Sequence, residues 1–210
     1  MIWKILDDET NEKIISFVSD DSIVSWQKDF TKIVVDHLDD FNTCIDVGSN
    51  YGFLTREFSM FFDNVYAFEM SKRIYNCFLE NVKDLNNVKS YNVALYNKKG
   101  IVKSTDDRDG GQNRINSGGS MRVSAETLDS YNIENIDLIK IDVQGSEFQI
   151  LEGSIETIKN NNPVIVVEIL NQRTFSEYVK NKKTIELLFS LNYEIVNVVK
   201  NDYIFIKRKK

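Results

Sequence analysis

The 210-residue chain has one proline, two cysteines and one histidine. Cys44 and Cys77 are too few for a disulfide framework or a thiolate zinc site, a usage that fits a reducing cytosol. His37 alone gives no basis for a transition-metal centre. The longest strongly apolar run, residues 164–167, falls far short of the ~18 residues of a membrane span. The N-terminus turns acidic at Asp7-Asp8, where a secretory leader would stay apolar, so a cytoplasmic protein without export is expected. Basic residues are also in deficit: 26 Lys and Arg against 32 Asp and Glu give a net charge of −6. That balance argues against a nucleic-acid partner, which needs many phosphate-neutralising cations. The one basic cluster, Lys207-Arg208-Lys209-Lys210, reads as a solvated chain end. Alanine occurs 3 times, against 22 Asn, 23 Ile and 19 Lys. This is the bias of an AT-rich genome, so most Asn and Lys carry little functional weight.

What is present is alternation. Short apolar runs at 44–47, 64–69, 88–95, 136–143 and 164–170 read as strands. Helical patterns at 53–62, 71–85 and 148–158 lie between them, and a helix through Ile185 and Leu188 follows the fifth. Ser71 stands where an N-cap belongs. The run 164–170 is apolar throughout, the mark of a strand buried on both faces. Residues 193–199 and 203–207 make an antiparallel hairpin at the end. Strand–helix alternation of this kind specifies a single α/β domain over 1–210, with a mostly parallel sheet and right-handed crossovers. Two regions depart from the pattern. Residues 1–40 suggest a strand pair and a helix over 26–38. Residues 96–131 are polar and glycine-rich, an insertion whose flanks, 100–105 and 121–125, can pair as a β-hairpin. Its centre, 106–120, is long enough to be a disordered segment or a lid.

In an open parallel sheet, ligands bind beyond the carboxyl ends of the strands. Here the first strand ends at Asp46-Val47-Gly48-Ser49-Asn50-Tyr51-Gly52 and the second at Glu69. The third ends near Asn92-Val93, the fourth at Asp142-Val143-Gln144-Gly145 and the fifth at Glu168. Five strand ends in succession are polar or acidic while the interiors are apolar. A glycine turn with an acid 21 positions after Gly48 fits a dinucleotide or an adenosine lacking phosphates, since either ribose offers hydroxyls to the acid. A dinucleotide fingerprint starting at Gly48 requires glycine at positions 50 and 53. Those positions hold Asn50 and Phe53, so S-adenosylmethionine is the better ligand. It needs close backbone approach at Gly48 and Gly52, and Asp46 can answer its ammonium. Removing Glu69 should then cost cofactor affinity and little stability.

The segments Asp46–Gly52, Ala67-Phe68-Glu69, Asn81, Val93-Ala94-Leu95, Gly100, Thr127-Leu128-Asp129 and Ile139–Glu147 together resemble the FkbM-type S-adenosylmethionine-dependent methyltransferases. The resemblance extends over residues 20–206. It implies a Rossmann-like seven-stranded methyltransferase sheet with its last strand antiparallel, and O-methylation of a sugar, glycan or other small hydroxylated molecule. On it, Asp46, Gly48, Ser49, Asn50, Tyr51 and Gly52 fall on the cofactor loop. Glu69, with Met70 beside it, takes the ribose position, and Asn92 and Val93 lie where the adenine is met. Gln144 stands where the family more often has Glu, one charge fewer at the site mouth.

Methyl transfer to an alcohol gains from alignment and from a general base. With His37 placed before the first strand and both cysteines in the core, the base must be a carboxylate. Asp142 and Glu147 are the catalytic candidates. Glu147 also suits a plain helix-start acid. Glu168 is a third carboxylate open to the base's role, its plain alternative being a strand-end charge paired with Arg173; it joins Asn171 and, from the insertion, Asn113 and Arg114 as candidates for holding the acceptor. The three acids could chelate Mg²⁺, but no metal is assigned. A reading from another class is a non-catalytic scaffold protein of this fold in a glycan-assembly complex. Retention of both Asp142 and Glu147 favours the enzyme. Neither the acceptor's identity nor the oligomeric state is encoded in any motif.

Overall fold

The structure is a computed structural model that describes residues 21–105, 114–170 and 174–209, without the side chains of 21–27 and 175–177. The strand pair expected before the first helix lies outside the described residues, as does the tip of the insertion.

Helix α1 (Asp21–Val35) leads into strand β1 (Thr43–Val47). Helix α2 (Phe53–Ser59), strand β2 (Asn64–Phe68), helix α3 (Lys72–Val82) and strand β3 (Val88–Tyr91) follow. After the insertion come β7 (Ile136–Ile141), α4 (Glu147–Glu152), α5 (Ile155–Asn161), β8 (Val164–Glu168), α6 (Phe175–Ser190), β9 (Tyr193–Val199) and β10 (Asp202–Lys207). The main sheet has seven strands in the order β3-β2-β1-β7-β8-β10-β9. Strands β1, β2, β3, β7 and β8 are mutually parallel, and β10 runs antiparallel between β8 and β9. The expected fold class is therefore the observed one.

Both faces of the sheet are covered, which explains the unbroken apolar runs. Neighbouring residues of one strand serve opposite layers. Cys44, Leu138 and Val166 pack with Phe30, Val34, Phe58 and Phe62 from α1, α2 and the turn after α2. Their neighbours Ile45, Ile139 and Ile165 pack with Ile150, Leu151, Ile158 and Leu188 from α4, α5 and α6. The N-cap at Ser71 forms: its Oγ accepts a hydrogen bond from the Ile74 N–H at 3.2 Å.

Several element boundaries differ from those expected. The third strand splits at Asn92-Val93, and its second half, β4 (Ala94–Leu95), leaves the main sheet. There it pairs in parallel with β6 (Met121–Glu126), which in turn pairs antiparallel with β5 (Gly100–Ser104), so the insertion carries a three-stranded sheet of its own. The expected hairpin is β5–β6. The fourth and fifth strands stop at Ile141 and Glu168, short of 143 and 170. Helix α1 begins earlier than residue 26 and ends at Val35, three positions before 38; Asp39 and Asp40 beyond it would oppose the negative end of the helix dipole.

The helix expected over 148–158 is two helices broken at Gly153-Ser154. A Cβ on Gly153 would lie 2.1 Å from the Tyr96 carbonyl oxygen, so at the break the insertion's backbone occupies the space of a side chain. Asp129, in the 3-10 turn Leu128–Tyr131, caps the second piece: its Oδ1 accepts from the Thr157 N–H at 2.8 Å and from Thr157 Oγ1 at 2.7 Å. Asp129→Ala is expected to lower stability by about 1–2 kcal/mol, read as a shift in the urea midpoint, with Asp129→Asn retaining part of the loss.

Candidate active site

The strand order reverses between β1 and β7, whose carboxyl ends therefore diverge and leave a crevice. A cavity of about 310 Å³ opens there, lined from the β1 end by Asp46 to Asn50, from the β2 end by Glu69 and Met70, and from the β7 end by Lys140, Asp142, Val143 and Gln144.

The loop after β1 is shaped by close backbone contacts. The N–H groups of Gly48 and Ser49 both donate to the Phe68 carbonyl, at 2.9 and 3.1 Å. A Cβ on Gly48 (φ 81°) would sit 1.9 Å from the Asp142 carbonyl oxygen, and one on Gly52 (φ 88°) 3.0 Å from Phe78 and Val82. Both glycines are thus demanded by the protein's own packing, not only by approach to a ligand. Asn50 also has a positive φ of 52°, and asparagine tolerates that conformation.

Glu69 ties two loops together. Its Oε2 accepts from the Asn50 N–H at 3.0 Å and its Oε1 from the Ser71 N–H at 2.8 Å. The expectation that Glu69 matters to ligand and hardly to stability is corrected on this point, since its loss leaves two backbone donors without their acceptor. Asn92 stands behind this loop, donating from Nδ2 to the carbonyls of Glu69 at 2.9 Å and Met70 at 3.2 Å. Val93 lines the cavity, whereas Tyr51 is buried beside Ile74 and Cys77.

The β7 end is a charged cluster. Lys140 and Asp46 are register partners on adjacent strands and both are buried. Asp46 Oδ2 accepts from Thr55 Oγ1 at 2.6 Å, and burial raises its carboxyl pKa. The Lys140 ammonium lies 2.9 Å from Asp142 Oδ2. Burial alone would discharge this lysine, but Asp142, Asp46 and Asp202 outweigh it and hold it firmly protonated. Gln144 Nε2 donates to Glu168 Oε2 at 3.1 Å and lies 3.4 Å from Asp142 Oδ1. Asp142 and Glu168 thus flank the same amide nitrogen. Burial works against the Asp142 charge, yet Lys140 and these hydrogen bonds keep its pKa below the usual carboxylate value. Burial and the negative charge of Asp142 push Glu168 up to about 8, and burial raises Asp202, its register partner on β10, to about 6.

Glu147 is buried at the start of α4, where its Oε1 accepts from the Gly145 N–H at 2.8 Å. It closes its own turn and is not part of the cavity lining. Arg114 is exposed, and its backbone pairs with Thr105, while the next residue, Ile115, lines the cavity. Asn113, Asn171 and Arg173 lie outside the described residues. Among the described residues no group of three or more His, Cys, Asp or Glu is arranged to hold a metal ion.

Lys140, Phe53 and Ile115 contribute to the cavity without having been singled out from the sequence. Lys140 had a signal: it is the lone cation inside an apolar strand, Ile136–Ile141. Phe53 and Ile115 had none beyond being apolar.

Three buried oxygens of the β1 end have no hydrogen-bond partner among the described residues: Asp46 Oδ1, Ser49 Oγ and Asn50 Oδ1. All three residues line the cavity. Asp46 Oδ1 and Asn50 Oδ1 only accept, and Ser49 Oγ can accept as well as donate, so the set calls for a ligand rich in donors, such as an ammonium and ribose hydroxyls, and the two acceptors disfavour a pyrophosphate. S-adenosylmethionine fits this set.

The sheet order, the β1 loop and the acid after β2 together are those of the Rossmann-like methyltransferase fold. Residues 46–195 match the methyltransferase FkbM domain, and the chain belongs to that family. No curated protein matches the chain. Among solved structures, it is similar to a methyltransferase FkbM from Methylobacillus flagellatus KT (15% identity, TM-score 0.57), covering 79% of this chain and 43% of that one. This chain thus spans less than half the length of that relative. It is also similar to a SAM-dependent methyltransferase from Aquifex aeolicus (16% identity, TM-score 0.51, covering 86% and 89%). A putative methyltransferase from Streptococcus mutans in complex with SAH is a third (13% identity, TM-score 0.50, covering 83% and 92%). No helix among the described residues is long and apolar enough to cross a membrane.

Two outcomes follow from this site. Glu69→Ala should lower ligand-free stability by about 1–3 kcal/mol as well as weaken S-adenosylmethionine binding, measured by denaturation and calorimetry on the same sample. The second concerns pH. Glu168 and Asp202 bind protons more tightly folded than unfolded, so the folded state holds the extra protons between the unfolded values near 4 and the folded values of about 8 and 6. Their contribution to stability is therefore lost as pH rises through that window. The ligand-free melting temperature should fall from pH 5 to pH 8, and Glu168→Gln should flatten the slope.

Proposed function

We propose that the protein is an O-methyltransferase that moves the methyl group of S-adenosylmethionine to a hydroxyl of a sugar, glycan or other small molecule. The observation that carries this reading is Asp142: a carboxylate one-third exposed and 2.9 Å from the buried Lys140 ammonium, lining the cofactor cavity from the end of a central strand. The cofactor supplies an activated methyl on a sulfonium. The chain's own residues do the rest. Asp46, Ser49, Asn50 and Glu69 hold the cofactor's polar groups, with Met70, Val93 and the Phe68 side of the cavity forming apolar walls. Asp142 orients the acceptor hydroxyl in line with the methyl and draws its proton, while Lys140 keeps Asp142 charged. Glu147 acts through the fold of the Val143–Ser146 turn. Arg114, next to the cavity-lining Ile115, and Glu168, hydrogen-bonded to the cavity-lining Gln144, are assigned to the acceptor. The net charge of −6 supports an acceptor other than nucleic acid.

The test is methyl uptake from labelled S-adenosylmethionine across a panel of sugars and glycosides. With an acceptor in hand, Asp142→Asn should reduce turnover by about 10²–10⁴ while changing cofactor affinity less than tenfold. Turnover within threefold of the parent would remove Asp142 from this role. Cofactor binding with no acceptor in any class would favour a non-catalytic scaffold.

A further inference from the structure

The Asp142–Glu168 pair is built to hold a proton that a bound cation would expel. One amide nitrogen, Gln144 Nε2, lies within 3.4 Å of Asp142 Oδ1 and 3.1 Å of Glu168 Oε2, so the two carboxyl groups crowd a single donor; groups this close cannot both be ionised without a strong mutual penalty, and such a pair titrates as a unit. The groups around it decide which charge state is favoured. From β7, Lys140 contacts Asp142 at 2.9 Å, and from the following turn the neutral Gln144 amide lies 3.1 Å from Glu168 and 3.4 Å from Asp142. From β1 comes Asp46, from β10 Asp202 with Lys200 near it, and from the start of α4 Glu147. Lys180 of α6 reaches the Gly145 carbonyl at 3.1 Å. Among the described residues, Lys140 is the one cation buried with these acids. Gln144 adds none. The cluster therefore has more acid than cation, and it keeps a proton in place of the missing positive charge.

A second observation points to the ligand that supplies that charge. Asp46, 1% exposed and lining the same cavity, has an oxygen with no hydrogen-bond partner among the described residues. The cavity is thus short of both a donor and a cation.

We infer that binding of S-adenosylmethionine empties the proton held between Asp142 and Glu168, and that the acceptor hydroxyl refills it as the methyl leaves. This rests on the methyltransferase reading and adds the proton's source and destination. Before transfer, the pair carries two negative charges and the ligand one sulfonium. The hydroxyl O–H bond breaks, the oxygen takes the methyl, the carbon–sulfur electron pair returns to sulfur, and the proton passes through Asp142 to the pair. Afterwards, the pair carries one negative charge and the product, a thioether, none at sulfur. The charge of the site is unchanged across the reaction. A proton has taken the place of the sulfonium, and the pair accepts one only when the charged cofactor is bound.

Calorimetry of S-adenosylmethionine and of S-adenosylhomocysteine at pH 7, each in two buffers of different ionisation heat, tests this without an acceptor. The two ligands share their amino-acid and nucleoside parts, so the difference isolates the sulfonium. The charged cofactor should release up to about one proton more than the product does. Its affinity should rise with pH toward 8 and then level, while that of the product stays flat. Glu168→Gln should abolish both effects and leave product affinity within about threefold. Should that variant not fold, the pH dependence of the two wild-type affinities decides alone. Equal proton release for the two ligands, or a difference that persists in Glu168→Gln, overturns the inference while leaving the methyltransferase reading intact. Failure of both ligands to bind overturns both.

Discussion

One buried ammonium organises the site. Lys140 sits in the middle of the sheet with helices on either side, where an unpaired cation would be costly. It is kept charged by acids from three other places in the chain: Asp46 on β1, Asp142 just beyond its own strand and Asp202 on β10. Burying these charges is not a source of net stability in itself. Its effect is geometric and electrostatic, because it fixes Asp142 at the cavity wall in ionised form. Each acid that Lys140 does not satisfy, Glu168 above all, is left to retain its proton.

The β1 turn is tuned by a similar economy of space. Gly48 is needed because β7 continues so close behind it that the Asp142 carbonyl fills the volume of a side chain. The cofactor loop and the acid that faces it are therefore held by one contact, and the position of one cannot be adjusted without the other. Glu69 extends the linkage to the end of β2 by accepting from Asn50 and Ser71. The three walls of the cavity are in this way joined to each other below the ligand.

Much of this was legible in the sequence, and the exceptions share a cause. Period and strand–helix alternation gave the sheet, because a parallel strand covered on both faces, such as Val164–Glu168, is apolar up to its carboxyl end. The glycine turn and the distant acid marked the crevice. What could not be read was whether a pattern is interrupted from outside. The third strand breaks where Asn92 turns to support the Glu69 loop, and the helix after β7 breaks at Gly153 against Tyr96. Both are contacts between segments remote in sequence. Lys140 is a different case: its residue type was visible, but its meaning depended on Asp46 and Asp202 arriving beside it.

Strand β10 lies inside the sheet, between β8 and β9, although it follows both in the chain. During synthesis, β9 emerges first and has no place to pair until β10 is made. Only then does Asp202 come opposite Glu168. The electrostatic character of a crevice begun near residue 46 is consequently completed by a strand that follows all of the crevice's other walls in the chain. A nascent chain that had formed every parallel strand would still lack the charge balance of the finished site.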